Sequence, residues 1–209
     1  DWDEQHHSIH GAIQDSQHVY VNTGLHHFLK LYNPKELRIL EIGFGTGLNA
    51  FLTALESGQQ DVEIHYEGVE AYPVKAEELS QLNYASRIAA NQQHLFDSLH
   101  ELSWEKLYPI TSNFSLRKRQ QFFSELSDKN SFDLIYFDAF GARVQPELWT
   151  ESIFKSMYRA LKNKGVLVTY SAKGSVRRAM QTAGFLVERL EGPPGKREML
   201  RATKPSKIC

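Results

Sequence analysis

The chain has one cysteine, few prolines and no long apolar run. The cysteine is Cys209, the last of 209 residues, which excludes an intramolecular disulfide and a cysteine-ligated metal. A lone thiol suits a reducing compartment, so a cytoplasmic location is expected. No run of about 20 apolar residues is present, which argues against a membrane span. No secretory signal pattern is visible near Asp1. Repeats and low-complexity linkers are also lacking, so the expectation is a single domain over 1–209. It divides into an N-terminal segment and helix (1–36) and a core (37–209) with an insertion around 85–131. At 41% hydrophobic residues the chain can bury a substantial core.

Net charge is −1, but it is unevenly spread. Lys162–Cys209 holds eleven Lys/Arg against three Asp/Glu, a surplus of +8, while the rest carries −9. A basic end of this kind faces a polyanion or is a solvated face, and charge alone does not choose between them.

Against these absences stands Leu40-Glu41-Ile42-Gly43-Phe44-Gly45-Thr46-Gly47, an apolar strand running into a glycine-dense turn. Leu48, Phe51, Leu52 and Leu55 follow at the spacing of one helix face. Strand, glycine turn and helix bring bare backbone close to a nucleotide-like ligand. A dinucleotide site wants G-x-G-x-x-G, but here the third glycine comes one residue early and Leu48 stands in its place. Glu41, two residues before the first glycine, suits a ligand with a cationic end, such as S-adenosylmethionine. The alternative is a structural turn without a ligand.

The rest alternates between strand and helix patterns. Leu25, Phe28, Leu29 and Tyr32 form a helical stripe. Val62, Ile64 and Tyr66 alternate into a strand ending at Glu70, and Pro73 opens a helix with Ala76, Leu79 and Leu82 facing inward. A helical insertion is expected around His94 to Leu107 and a strand at Phe114 to Arg119. Phe132 to Phe137 reads as a buried parallel strand. After Pro146 a helix places Ile153, Phe154, Met157 and Leu161 on one side. Gly165 to Tyr170 is the next strand, and a helix with Val176, Met180 and Ala183 stops at Gly184. Phe185 to Arg189 and Glu198 to Ala202 pair around Gly192-Pro193-Pro194-Gly195. This is an α/β, Rossmann-like fold: a mostly parallel sheet with a C-terminal antiparallel strand and a helical insertion.

In such a sheet ligands bind at the carboxyl ends of strands. Besides the glycine turn, two strand ends are acidic. Glu70 either binds ribose hydroxyls or caps the following helix. Asp138, in Phe137-Asp138-Ala139-Phe140, emerges at the mouth of the site or caps a turn, with Phe140 as wall or core.

His7-Ser8, Gly11-Ala12, His18-Val19, Glu41 to Asn49, Phe132 to Phe140, Pro146 to Thr150, Thr169 to Gly174, Val176-Arg177-Arg178, Ala183-Gly184-Phe185 and Gly195 to Met199 together carry a resemblance. The chain resembles the methyltransferase family of tRNA 5-methylaminomethyl-2-thiouridine biosynthesis, in its form without a flavin-dependent oxidoreductase domain. The resemblance implies a class I S-adenosylmethionine-dependent methyltransferase. The methyl goes to the aminomethyl nitrogen of 5-aminomethyl-(2-thio)uridine at the tRNA wobble position, leaving S-adenosylhomocysteine. It implies Glu41, Gly43, Phe44, Gly45, Gly47, Asn49 and Glu70 around the cofactor. Asp138 would orient the amine or act as its base. Phe140, Trp149 and Tyr170 would stack on the base, with Trp149 equally readable as a helix-anchoring core aromatic. Lys173, Arg177, Arg178, Lys196 and Arg197 would meet phosphates of the anticodon arm. Arg117-Lys118-Arg119 is a second basic cluster, overlapping a strand.

The family's acid for the adenine amine is missing after the third strand, where Arg119-Gln120-Gln121-Phe122-Phe123 stands; Gln121, or Asp97, takes its role. Six of nine histidines precede residue 28, without a zinc spacing, so no metal is expected. Other readings are a methyltransferase for another RNA base or a small amine, a nicotinamide-dependent oxidoreductase, and a non-catalytic nucleic-acid-binding module.

Overall fold

A computed structural model describes residues 2–206, with side chains described from Ile9 to Ser206. The strands are β1 (Glu36–Ile42), β2 (Glu63–Glu70), β3 (Leu107–Pro109), β4 (Phe114–Gln120), β5 (Phe132–Phe137), β6 (Leu161–Thr169), β7 (Leu186–Glu191) and β8 (Glu198–Thr203). They form one sheet in the order β3-β4-β2-β1-β5-β6-β8-β7. β4, β2, β1, β5 and β6 are parallel neighbours, while β3–β4, β6–β8 and β8–β7 pair antiparallel.

The strand order reverses at β1, which has β2 on one side and β5 on the other. Such a switch point opens a crevice at the carboxyl ends of the two strands. Ile42 is in register with Phe137, and the Asp138 N–H donates to the Ile42 carbonyl at 2.8 Å. The glycine turn and Asp138 therefore leave the sheet side by side.

Alternation along β1 sends Leu37 and Ile39 into one core and Leu40 and Ile42 into the other. Glu41 falls on the Leu37 side. There α3 (Leu48–Ser57) packs beside a long N-terminal helix: α1 (Trp2–Ser16) runs without a break into a π-helical segment (Gln17–His26) and α2 (His27–Tyr32). On the opposite face lie α7 (Glu151–Ala160) and α8 (Gly174–Ala183).

Several boundaries differ from the sequence pattern. The helix after Pro73 begins only at Ala76, ends at Leu79 and buries no residue. The insertion is two helices, Tyr84–Ile88 and Gln93–Glu101, and Leu107 belongs to β3. Leu161 starts β6 instead of ending α7, because it pairs with Phe132 ahead of a register shift in β5. No helix of the described residues is long and apolar enough to cross a membrane.

Candidate functional site

The three glycines of the turn all have positive φ, at 89° for Gly43, 50° for Gly45 and 75° for Gly47. A Cβ on Gly43 would stand 2.5 Å from the Asp138 carbonyl oxygen. Only glycine allows this turn and this approach. Gly43 and Phe44 both donate their N–H groups to the Val69 carbonyl, each at 3.0 Å. The Gly45 N–H donates to Glu70 Oε2 at 3.1 Å, and Glu70 Oε1 accepts from the Tyr72 N–H at 3.1 Å. Phe44 is turned inward over Gly68, where a Cβ would come within 2.2 Å of its ring.

Behind the turn, Phe44 meets His100 and Trp104 edge-on, and Lys118 lies over the Trp104 ring at 5.2 Å. Burial pushes Lys118 down to about 8. Burial, with Lys118 beside it, takes His100 down to about 4. Arg119 donates to Glu67 and Asp128 at 3.1 and 3.0 Å. The Arg117–Arg119 cluster is thus largely a structural network within the sheet.

The centre of the site is a pair of buried carboxyl groups joined by one amide. Asn49 Nδ2 donates to Glu41 Oε1 and to Asp138 Oδ2, both at 2.8 Å. The Tyr66 hydroxyl donates to Glu41 Oε2 at 2.7 Å, and the Tyr20 hydroxyl donates to Asp138 Oδ1 at 2.8 Å. Every carboxyl oxygen thus has a neutral donor, and neither acid forms an ion pair among the described residues. Burial drives Glu41 well above the usual carboxylate range, partly opposed by Tyr66 and Asn49. Burial also raises Asp138, against the hydrogen bonds from Tyr20 and Asn49 and the nearby Lys196 charge. Two acids without a fixed counter-ion suit a ligand that brings positive charge. Asn49 spends both N–H groups on these acids, and its Oδ1 is buried without a protein donor.

These groups border a cavity of about 820 Å³, large enough for a cofactor and part of a second molecule. One side is the turn itself (Gly43, Phe44, Gly45, Thr46) with Glu41, Asn49 and Glu70. Beyond Glu70 come Tyr72, Val74, Phe122, Phe123 and Ser124. The other side is Asp138, Phe140, Tyr170, Lys196 and the N-terminal helix residues Asp15, Ser16 and Tyr20. Bare backbone, the acid Glu70 at the end of β2 and a pair of carboxyls without an ion pair fit a nucleoside ligand with a cationic tail such as S-adenosylmethionine.

Not every expected residue joins this wall. Gln121 does not line the cavity, and its Oε1 accepts from Arg119 at 3.4 Å. Asp97 instead accepts from Gln93 on the surface. The region after β4 contributes the aromatic Phe122 and Phe123. Trp149 is a core residue: it is 5% exposed, packs on Phe137 and Phe154, and donates its indole N–H to the Phe140 carbonyl at 2.7 Å. It braces the loop that presents Phe140, which is 70% exposed at the cavity mouth. The Tyr170 hydroxyl donates to the Ala139 carbonyl at 2.7 Å, so its ring walls the site while its polar tip is engaged.

Lys196 pairs with Asp15 and lies 5.5 Å from the centre of the Tyr170 ring, on the cavity rim. Lys173, Arg178 and Arg197 are exposed and Arg177 half-buried, all off the cavity wall. His6, His7 and Ser8 lie outside the residues whose side chains are described. Tyr20 and Asp15 had no local signature. The one hint was a phenol inside the apolar run Val19-Tyr20-Val21.

Residues 113–205 match a family described as S-adenosyl-L-methionine-dependent methyltransferase. A tRNA 5-methylaminomethyl-2-thiouridine biosynthesis bifunctional protein MnmC from Delftia acidovorans is 29% identical over 95% of this chain and 32% of its own length. The protein of the same name from Campylobacter fetus is 28% identical over 97% of this chain and 33% of its own length. The chain thus spans about a third of these relatives. The crystal structure of MNMC2 from Aquifex aeolicus superposes with a TM-score of 0.70 at 23% identity, covering 95% of this chain and 63% of that one. The chain therefore shares the fold of the Aquifex aeolicus MNMC2 structure, matches a family of S-adenosyl-L-methionine-dependent methyltransferases over residues 113–205, and resembles about a third of the MnmC proteins.

Proposed function

We propose that the chain is a tRNA methyltransferase acting in the cytoplasm on the wobble uridine of the anticodon arm. It transfers a methyl group from S-adenosylmethionine to the aminomethyl nitrogen of 5-aminomethyl-(2-thio)uridine. The reading takes residues 1–209 as one methyltransferase domain. The observation that carries it is the joining of Glu41 and Asp138 by Asn49 across one cavity. Donor-side and acceptor-side groups are thereby held at one point.

S-adenosylmethionine, when bound, supplies a methyl group activated by its sulfonium. The protein's part is alignment and dehydration. The glycine turn gives backbone contact, Glu70 offers oxygens to the ribose, and Glu41 with Asn49 faces the cationic end. Tyr72, Phe122 and Phe123 take the adenine by apolar contact where the expected acid is missing. Phe140 and Tyr170 flank the uracil. An amine attacks only through a free lone pair, so a carboxylate must hold its N–H bonds or take its surplus proton; Asp138 does this. Lys173, Arg177, Arg178 and Arg197 follow the RNA backbone, and Lys196 stands between that surface and the cavity. The names of the MnmC relatives support this substrate, and the match to a methyltransferase family leaves the nicotinamide reading without support.

The test is nucleoside analysis of tRNA that carries the aminomethyl group but lacks the final methyl, incubated with this protein and donor. The expected result is one added methyl on the wobble nucleoside. A methyl on another nucleoside, or on a free amine alone, would mean a methyltransferase of different substrate.

A further inference from the structure

Tyr20 sits in the π-helical segment, where the Thr23 hydroxyl also donates to the His18 carbonyl at 2.8 Å. Turns of the π type are uncommon and concentrate at functional positions. Here the segment lies over the sheet, with the Tyr20 ring on Tyr136 at 5.3 Å. Its hydroxyl points to Asp138 Oδ1 at 2.8 Å, with the Phe137 carbonyl at 3.2 Å. Asn49 holds the other Asp138 oxygen. Held from both sides, the carboxyl group cannot rotate without losing both hydrogen bonds, and each oxygen keeps acceptor capacity for a third partner.

We propose that Tyr20 is a positioning residue for the methyl acceptor: its hydroxyl holds Asp138 oriented and ionised, so that the carboxylate accepts an N–H of the incoming amine. The inference rests on Asp138 being the group that meets the amine. Tyr20 stays a donor throughout, because burial and the neighbouring Asp138 put its own ionisation well above the usual phenol range. Its hydrogen bond favours the charged carboxylate, against the burial that disfavours it. The other charged or titratable groups facing Asp138 among the described residues are Glu41 from β1, Tyr66 from β2, Tyr170 after β6, Lys196 from the β7–β8 turn and Asp15 from α1. Tyr20→Phe leaves all of them in place.

Tyr20→Phe also keeps the ring on Tyr136 and removes only the hydroxyl. The lost hydrogen bond raises the Asp138 pKa, so the acid limb of the kcat–pH profile should move to higher pH by about one unit. At neutral pH kcat should fall about tenfold, with KM for S-adenosylmethionine within about twofold of the parent. The position of the acid limb does not depend on how much of the variant is folded, so lost stability does not obscure it. An unmoved acid limb overturns the inference, whether kcat falls or not, because packing alone would explain any loss. Asp138→Ala is assayed beside it. If Asp138→Ala keeps its turnover, the assignment of Asp138 falls and this inference with it. If it loses turnover while Tyr20→Phe behaves as the parent, only the role of Tyr20 falls.

Discussion

At the scale of residues, the site depends on positions where no other side chain fits. Gly43 combines a φ of 89° with a Cβ position 2.5 Å from the Asp138 carbonyl, a backbone atom that cannot swing aside. Gly43→Ala should cost about 1–3 kcal/mol in strain alone and push apart the ends of β1 and β5. Donor affinity should then fall at least about tenfold by calorimetry. Gly11→Ala is the control, since a Cβ there meets nothing within 4 Å; equal effects of the two would refute the account of the turn. The glycine pattern was legible because positive φ is a local demand. The fate of Glu41 was not. Glu41 is 1% exposed and its carboxyl is engaged by Tyr66 and Asn49, on a face that alternation alone would make apolar. Tyr20 was invisible for the same reason: its partner is 118 residues away.

At the scale of elements, alternating strands and helices were readable because each buries a periodic face. The errors lie where a contact distant in sequence overrides that period. Leu161 continues the apolar stripe of α7 yet joins β6 through Phe132. Trp149 reads equally as a stacking platform or a core aromatic, and only its packing on Phe137 and Phe154 puts it in the core. The β7–β8 turn is another case, because its two basic residues differ. Both are exposed, but Lys196 is also tied to Asp15 and Tyr170 at the cavity rim. Arg197→Ala should weaken tRNA binding, with a salt dependence shallower by about one phosphate contact. Lys196→Ala should weaken binding as well and also raise the Asp138 pKa, since the lysine charge lowers it. If affinity and salt slope are unchanged in the double variant, the turn is a solvated face.

At the scale of the whole molecule, the order β2-β1-β5 opens the sheet where all three strands carry an acid at or next to their carboxyl ends, Glu70, Glu41 and Asp138. The N-terminal helix then roofs that opening, with Asp15, Ser16 and Tyr20 on the cavity side. Neither half makes the cavity alone: under the proposed function Glu41 and Glu70 would serve the donor side, and Asp138 with Tyr20 the acceptor side. Asn49 from α3 ties the two together. Asp138 is therefore the group whose loss should separate binding from chemistry. The direct measurement is donor affinity and single-turnover methyl transfer for Asp138→Ala, side by side with the parent. The account predicts S-adenosylmethionine affinity within about threefold of the parent and a transfer rate lower by about 10² or more. Transfer at the parental rate would contradict it.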